Sequence, residues 1–369
     1  MKYSSVFVFG TSAEVIKIQK LVKLMQKITD TKLLNLNQQK DDTKLMLEKY
    51  ELTSISNNIG VQLRKNTSLW YLFKWLVVSI LSLNKKLKKI QNEDYDRKVI
   101  VFVQGDTLSA LIGAILARRR GFKLFHIEAG LRSNSLISPF PEEIIRKIIS
   151  FSAHFHFAPS VESFQFLADK GKSVYYTKGN TFIDSIKELE YLKNGGINQE
   201  IKTESILISI HRVENIKNRQ RMKQLYNLIQ RLGMENDITM LMDSVTKLQL
   251  TKYKLIDQID KIERCTIIDK MEHDKFILKV LQTQVIITDS GGLQEECALL
   301  NKPCLVYRLK SERNDGIGKN AILIKDFEIE SQLEIIKYLK NKRMSSHLDK
   351  SVLPFPSLEI FEIVKKFMN

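Results

Sequence analysis

The sequence predicts an α/β protein made of two doubly wound domains, each built on a parallel sheet. Three observations carry that expectation. Short apolar runs alternate with longer helical patterns over most of the chain. The alternation falls into two series, and nearly every apolar run ends at small or polar residues, as buried strands do where a sheet meets its loops. In the first series "SSVFVFG" (4–10), "KVIVFVQG" (98–105), "FKLFHIEAG" (122–130) and "HFHFAPS" (154–160) read as strands, with helical patterns at 14–28 and 107–119 between them. The second series contains "SILISIH" (205–211), "ITMLMDS" (238–244), "CTIIDK" (265–270), "QVIITDSGG" (284–292) and "KPCLVYR" (302–308). The expected domains are 1–175 and 176–354, because the stretch 175–200 carries little apolar content after Ile186. A last helix at 355–368 is expected to pack back on the first domain.

Composition narrows the function classes. With 43% hydrophobic and 27% charged residues, the 369-residue chain reads as globular and large enough for two cores. Its 58 Lys and Arg against 42 Asp and Glu suit anionic partners such as nucleotides, although many of the lysines fall on presumed solvated helix surfaces. Nucleic acid is not expected, since no basic stripe with interleaved aromatics occurs outside 69–90. The three cysteines, Cys265, Cys297 and Cys304, lack paired spacing, so neither a disulfide framework nor a metal site is expected. The amino terminus reads as strand and turn instead of a signal peptide, which makes the cytoplasm the expected location.

The stretch "LWYLFKWLVVSILSLNKKLKKI" (69–90) interrupts this picture. Its apolar part, Leu69 to Leu83, is shorter than the ~20 residues of a membrane span. It is expected to be a helix buried in a core or a subunit interface. The alternative is a helix lying on the inner membrane face, with Lys85, Lys86, Lys88 and Lys89 meeting anionic lipid.

Ligands of open parallel sheets bind beyond the carboxyl ends of the strands. Those positions carry Gly10-Thr11, Gly105-Asp106, Glu128, His211-Arg212 and Asp289-Ser290-Gly291-Gly292. "TDSGGLQEE" (288–296) joins a strand to a helix start through two glycines, the arrangement that presents free amides to a phosphate, with Glu295 and Glu296 beside it for ribose hydroxyls. Its blander reading is a capped turn. Asp106, Glu128 and Glu142 are carboxylates suited to acid–base work, and Arg146 stands four residues after Glu142, where one helix face would pair them. Lys17 falls on the first helix. No GxGxxG follows the first strand, so no dinucleotide cofactor is expected.

With these motifs in order, the sequence resembles the non-hydrolysing UDP-N-acetylglucosamine 2-epimerases, which have the GT-B architecture of two Rossmann-like domains facing a cleft. The resemblance runs from Phe9 to about Ile324 and is densest in "GDT" (105–107), "HIEAGLRS" (126–133), "SPFPEEIIRK" (138–147), "GNTFIDSI" (179–186), "HRVEN" (211–215), "TDSGGLQEE" (288–296), and "KPCLVYR" with "SER" (302–313). It implies inversion at C2 of a UDP-sugar without NAD or metal, for cell-surface polysaccharide synthesis, and a homodimer. It implies that Asp106, Glu128 and Glu142 are the acid–base carboxylates, completed by Arg146 and His211. It further implies that Lys17, Arg212, Ser290, Gly291, Gly292, Glu296 and Arg313 hold the substrate. Ser12 and Ala13 stand where the family has Arg and Pro, and Val213 stands where it has a second Arg. Ser cannot supply a guanidinium's bidentate contact to a diphosphate. A GT-B glycosyltransferase, an epimerase for another UDP-HexNAc, or a non-catalytic partner protein are the competing readings.

Overall fold

The computed structural model describes residues 2–63, 69–93, 96–132, 141–188, 202–311, 314–341 and 353–369. The chain divides into two compact units, residues 1–188 with 351–369, and residues 189–350.

In the first unit β1 (Tyr3–Phe9), β2 (Asp30–Asn35), β3 (Ser56–Asn58), β4 (Lys98–Gln104), β5 (Lys123–Ile127), β6 (Phe155–Ala158) and β7 (Val174–Tyr176) form one sheet. Their order is β3-β2-β1-β4-β5-β6-β7, and every neighbouring pair is parallel. Helices cover both faces of such a sheet, so its central strands must be apolar on both sides. Thus β1 is buried along its whole length. One face carries Phe7, Phe102, Phe125 and Phe157, with Phe7 and Phe102 stacked 4.5 Å apart. Helices α1 (Ser12–Met25) and α2 (Lys40–Lys49) join this cluster through Ile18 and Leu47. The final helix, Pro356–Met368, lays Ile360, Phe361 and Val364 against the same face and sets Phe367 edge-on to Phe125 at 5.5 Å.

The other face, with Val6, Val8, Val101 and Val103, is covered by α3 (Leu69–Glu93), α4 (Leu108–Arg119) and α5 (Glu142–Ser152). Gly113 lets α4 approach closely, since a Cβ there would lie 2.9 Å from Val8 Cβ. The 69–90 stretch forms most of α3. It buries Trp75, Ser79, Leu83, Leu87 and Ile90, and the Trp75 indole donates to the Leu36 carbonyl at 3.0 Å. On the opposite side Trp70, Phe73, Val77 and Leu81 are exposed. Among the described residues no helix is long and apolar enough to cross a membrane.

In the second unit β8 (Lys202–Ser209), β9 (Asp237–Met242), β10 (Cys265–Asp269), β11 (Thr283–Thr288), β12 (Cys304–Val306) and β13 (Ala321–Leu323) pair in the order β10-β9-β8-β11-β12-β13, again all parallel. Ile206, Ile208, Met240, Val285 and Ile287 form its core with Met222, Leu225 and Ile229 of helix Arg219–Leu232. Both sheets reverse their direction of growth at one place, between β1 and β4 and between β8 and β11. Those switch points open a crevice at the strand ends, where this class of sheet binds ligands.

Candidate active site

The carboxyl end of the first sheet gathers most of the charged residues singled out in that unit. Gly105, with φ +67°, turns the chain sharply after β4 and delivers Asp106. An Asp106 oxygen lies 2.5 Å from Arg146 Nη2, and Arg146 Nη1 lies 3.5 Å from Glu143 Oε2. Glu143 also stands 3.7 Å from Arg132 Nε, so these acids and bases form a chain of charge. The Arg146 side chain is nearly buried, so its charge needs carboxylates close by, although Nη1 makes no hydrogen bond among the described residues. This corrects the expected Glu142–Arg146 pair. Arg146 turns instead to Glu143, one helical turn away, and to Asp106 on another element. Glu142 opens α5, and its Oε2 is shielded from solvent with no hydrogen-bond partner among the described residues.

Glu128 follows β5 in the left-handed region, with φ +62°. A non-glycine residue there is uncommon and marks a chain held by its surroundings. Lys17 on α1 places Nζ 2.6 Å from Glu128 Oε2, and the Gln104 amide donates to the same oxygen. Lys17, which the resemblance put on the nucleotide, is therefore an ion-pair partner of a proposed acid–base group. His126, two residues earlier, bonds the Gly105 carbonyl at 2.9 Å through Nε2. The carbonyl only accepts, so Nε2 carries the proton, and burial lowers the ring's pKa to about 3.

In the second unit Asp289, just beyond β11, is fully buried. It accepts from the backbone amides of His211 and Arg212, each at 3.0 Å, and from the Asn215 side chain at 2.9 Å. The turn after β8 is thereby tied to the turn after β11, while the His211 ring stays 43% exposed. Ser290 caps helix Gly291–Leu299 by accepting from the Leu293 amide at 3.4 Å. Gly292 is exposed, and a Cβ there would come no closer than 3.7 Å to its nearest neighbour, Ser290 Oγ. Packing within this unit therefore does not require a glycine at 292. Glu296 directs Oε1 toward His273 Nε2 at 3.4 Å and leaves Oε2 without a hydrogen-bond partner among the described residues. Arg313 lies outside the described residues. No group of three or more His, Cys, Asp or Glu among the described residues is arranged to hold a metal.

Sequence pattern placed Asp289 at a strand end without giving it a role, and did not single out Glu14 or Gln39 as parts of these arrangements. Glu14 bridges two strand-end loops, Asp289 positions His211 and Arg212, and Gln39 accepts from both the amide and the hydroxyl of Ser12 at 3.3 and 3.2 Å. A signal for Asp289 exists, since it is the first charged residue after an apolar run. Thr11 and Glu14 have the spacing of a capping box, which marks Glu14 as a helix-start residue but not as a partner of Thr107.

Residues 79–355 match the family model of UDP-N-acetylglucosamine 2-epimerase. A UDP-N-acetylglucosamine 2-epimerase of Methanocaldococcus jannaschii is 26% identical over 359 residues, 91% of this chain and 92% of that one. One from Campylobacter jejuni is 30% identical over 336 residues, 85% of this chain and 84% of that one. The structure of the Neisseria meningitidis UDP-GlcNAc 2-epimerase bound to UDP-GlcNAc superposes with a TM-score of 0.79 at 25% identity, covering 99% of both chains. Two parallel α/β units, strand-end acids and bases, and this breadth of similarity agree: the chain belongs to the UDP-N-acetylglucosamine 2-epimerase family and has its GT-B fold.

Proposed function

We propose that this chain interconverts UDP-N-acetylglucosamine and UDP-N-acetylmannosamine by inverting C2. The observation that carries the reading is the Asp106–Arg146 ion pair at a strand end, with the unpartnered Glu142 oxygen on the helix that supplies Arg146. A carboxylate removes the C2 proton, and UDP leaves C1 with the electrons of the C1–O bond, giving a 1,2-unsaturated sugar. A carboxylic acid then returns a proton to the opposite face of C2, and UDP re-adds at C1. Asp106, Glu128 and Glu142 divide this proton traffic, while Arg146 keeps Asp106 oriented and His211 assists. The orphan amides of Gly291 and Gly292 suit a diphosphate, and the free Glu296 oxygen suits ribose hydroxyls. Arg212, Arg313, Ser290 and Lys17 complete the proposed substrate contacts, and Lys17 also ion-pairs with Glu128. The reaction belongs to the cytoplasm, where it would feed cell-surface polysaccharide synthesis.

A homodimer fits one further observation. Trp70, Phe73, Val77 and Leu81 of α3 and Ile144, Ile148 and Phe151 of α5 are exposed on helices that cover the same sheet face. An exposed apolar area of this kind marks an interaction surface. A second copy is the proposed occupant. Light scattering should give a dimer that Leu81→Glu converts to monomer; a monomeric wild type would instead return attention to an anionic membrane surface.

Proton NMR of UDP-N-acetylglucosamine incubated with the protein in D2O tests the catalytic reading. Deuterium at C2 together with the manno epimer is expected. Absence of exchange in folded wild-type protein would favour a glycosyltransferase or a non-catalytic partner.

A further inference from the structure

Resting on that reading, we infer that Glu14 is a positioning residue for the proton-transfer step, locking the loop after β1 to the loop after β4 and so fixing Asp106. Glu14 is 1% exposed. Its Oε2 accepts from the Gly10 amide at 3.0 Å, the Thr11 amide at 2.9 Å and the Thr11 hydroxyl at 2.9 Å. Its Oε1 accepts from the Thr107 hydroxyl at 2.8 Å. Thr107 is the residue next to Asp106, and its own oxygen caps α4 by accepting from the Ala110 amide at 3.0 Å.

Part of this pattern is ordinary. Thr11 and Glu14 form a capping box at the start of α1, which needs only the glutamate's bond to the Thr11 amide. The bond to Thr107, 93 residues away, contributes nothing to that cap. It joins the two strands that flank the topological switch, where Val8 pairs with Val103. On the far side, His126 holds the Gly105 carbonyl at 2.9 Å. The Gly105-Asp106-Thr107 turn is thus gripped at both ends, and the Asp106 side chain is left to meet Arg146.

Burial supports the same view. It raises the Glu14 carboxyl to about 7, against the pull of all four hydrogen bonds. A carboxylate needed only as a helix cap would serve as well at the surface, where desolvation costs nothing. Full enclosure between two loops is the arrangement expected of a group whose task is to join them.

Four variants test the inference: Glu14→Ala, Glu14→Gln, Thr107→Val and Thr107→Ser. Glu14→Ala and Thr107→Val should lower kcat by about 10- to 100-fold, a fraction of what general acid–base groups supply, with KM within about twofold. Glu14→Gln retains an acceptor for the loop amides and Thr107→Ser retains the hydroxyl, so both should keep most of kcat. A double variant of Glu14→Ala and Thr107→Val should lose less than the product of the two single losses, because the bond between the two residues is common to both. Unchanged kcat in Glu14→Ala, or a loss confined to KM, would overturn the inference. Amide hydrogen exchange over residues 103–110 reads the loop without turnover and should speed up about tenfold or more in Glu14→Ala. Unchanged exchange would also overturn it. Faster exchange in the variant, alongside a wild type that does not epimerise, would sink the epimerase reading and leave the link between the loops standing.

Discussion

Arg146 stands 2.5 Å from Asp106 and 3.5 Å from Glu143, so one guanidinium serves a carboxylate from a strand end and another from its own helix. A planar guanidinium ion-pairs with Asp106 while its Nη1 faces Glu143 without a hydrogen bond, an arrangement that a lysine ammonium cannot reproduce. Arg146→Lys should therefore lose the equivalent of one charged hydrogen bond, about 1.5–3 kcal/mol, which is one to two decades in kcat. Asp106→Asn should cost more, about 10²- to 10⁴-fold. Initial rates by NMR compare them directly.

Glu142 separates chemistry from stability. One of its oxygens is shielded without a hydrogen-bond partner among the described residues, an arrangement that costs free energy unless a ligand uses it. Glu142→Gln should abolish deuterium uptake at C2 while the melting temperature does not fall. A variant that melts well below wild type would show that the carboxylate has a structural partner.

Gly292 offers the same separation in the second unit. The fold has room for a Cβ, and alanine is the better helix residue by up to about 1 kcal/mol. Gly292→Ala should hold or raise stability in urea yet weaken UDP binding about tenfold by calorimetry, a difference of 1.4 kcal/mol. Unchanged UDP affinity would remove 292 from the proposed phosphate contacts.

Glu14 makes stability depend on pH in an unusual direction for a carboxylate. Its folded-state pKa is raised from 4.5 to about 7, so between those values the folded state binds more proton than the unfolded state. Stability from this group is full below the unfolded pKa and is lost as pH rises through the folded one. The loss amounts to roughly 3 kcal/mol at most. Urea denaturation at pH 5 and pH 8 should show Glu14→Gln gaining on wild type at the higher pH. A constant difference would mean the group does not titrate in that window.

Asp289 should matter through the turn it holds beyond β8. It accepts from two backbone amides and one side-chain amide, and an asparagine would turn a donor toward one of them. Asp289→Asn should destabilise the protein by about 2–4 kcal/mol and depress activity through misplacement of His211. Denaturation and NMR rates on the same sample would check both effects.

Much of the architecture is legible in local pattern. Buried parallel strands are short apolar runs, their ends are where the chain turns polar, and both properties lie within a few neighbouring residues. That is why Asp106, Glu128, His211, Arg212 and Ser290 can be placed at strand ends from the residues that precede them in the chain. Strands such as Ser56–Asn58, with no apolar residue, leave no such trace, because they exist only through the hydrogen bonds of a neighbouring strand. Side-chain partnerships are equally hidden. Helical spacing offers Arg146 to Glu142, but the guanidinium follows the carboxylates that its buried surroundings bring near, Asp106 and Glu143. Lys17 meets Glu128 across 111 residues, and Glu14 meets Thr107 across 93. Periodicity in a sequence reports which face of an element is buried. Which charge a buried charge will face depends on strands brought together from distant parts of the chain, and that pairing exists only once the sheet has formed.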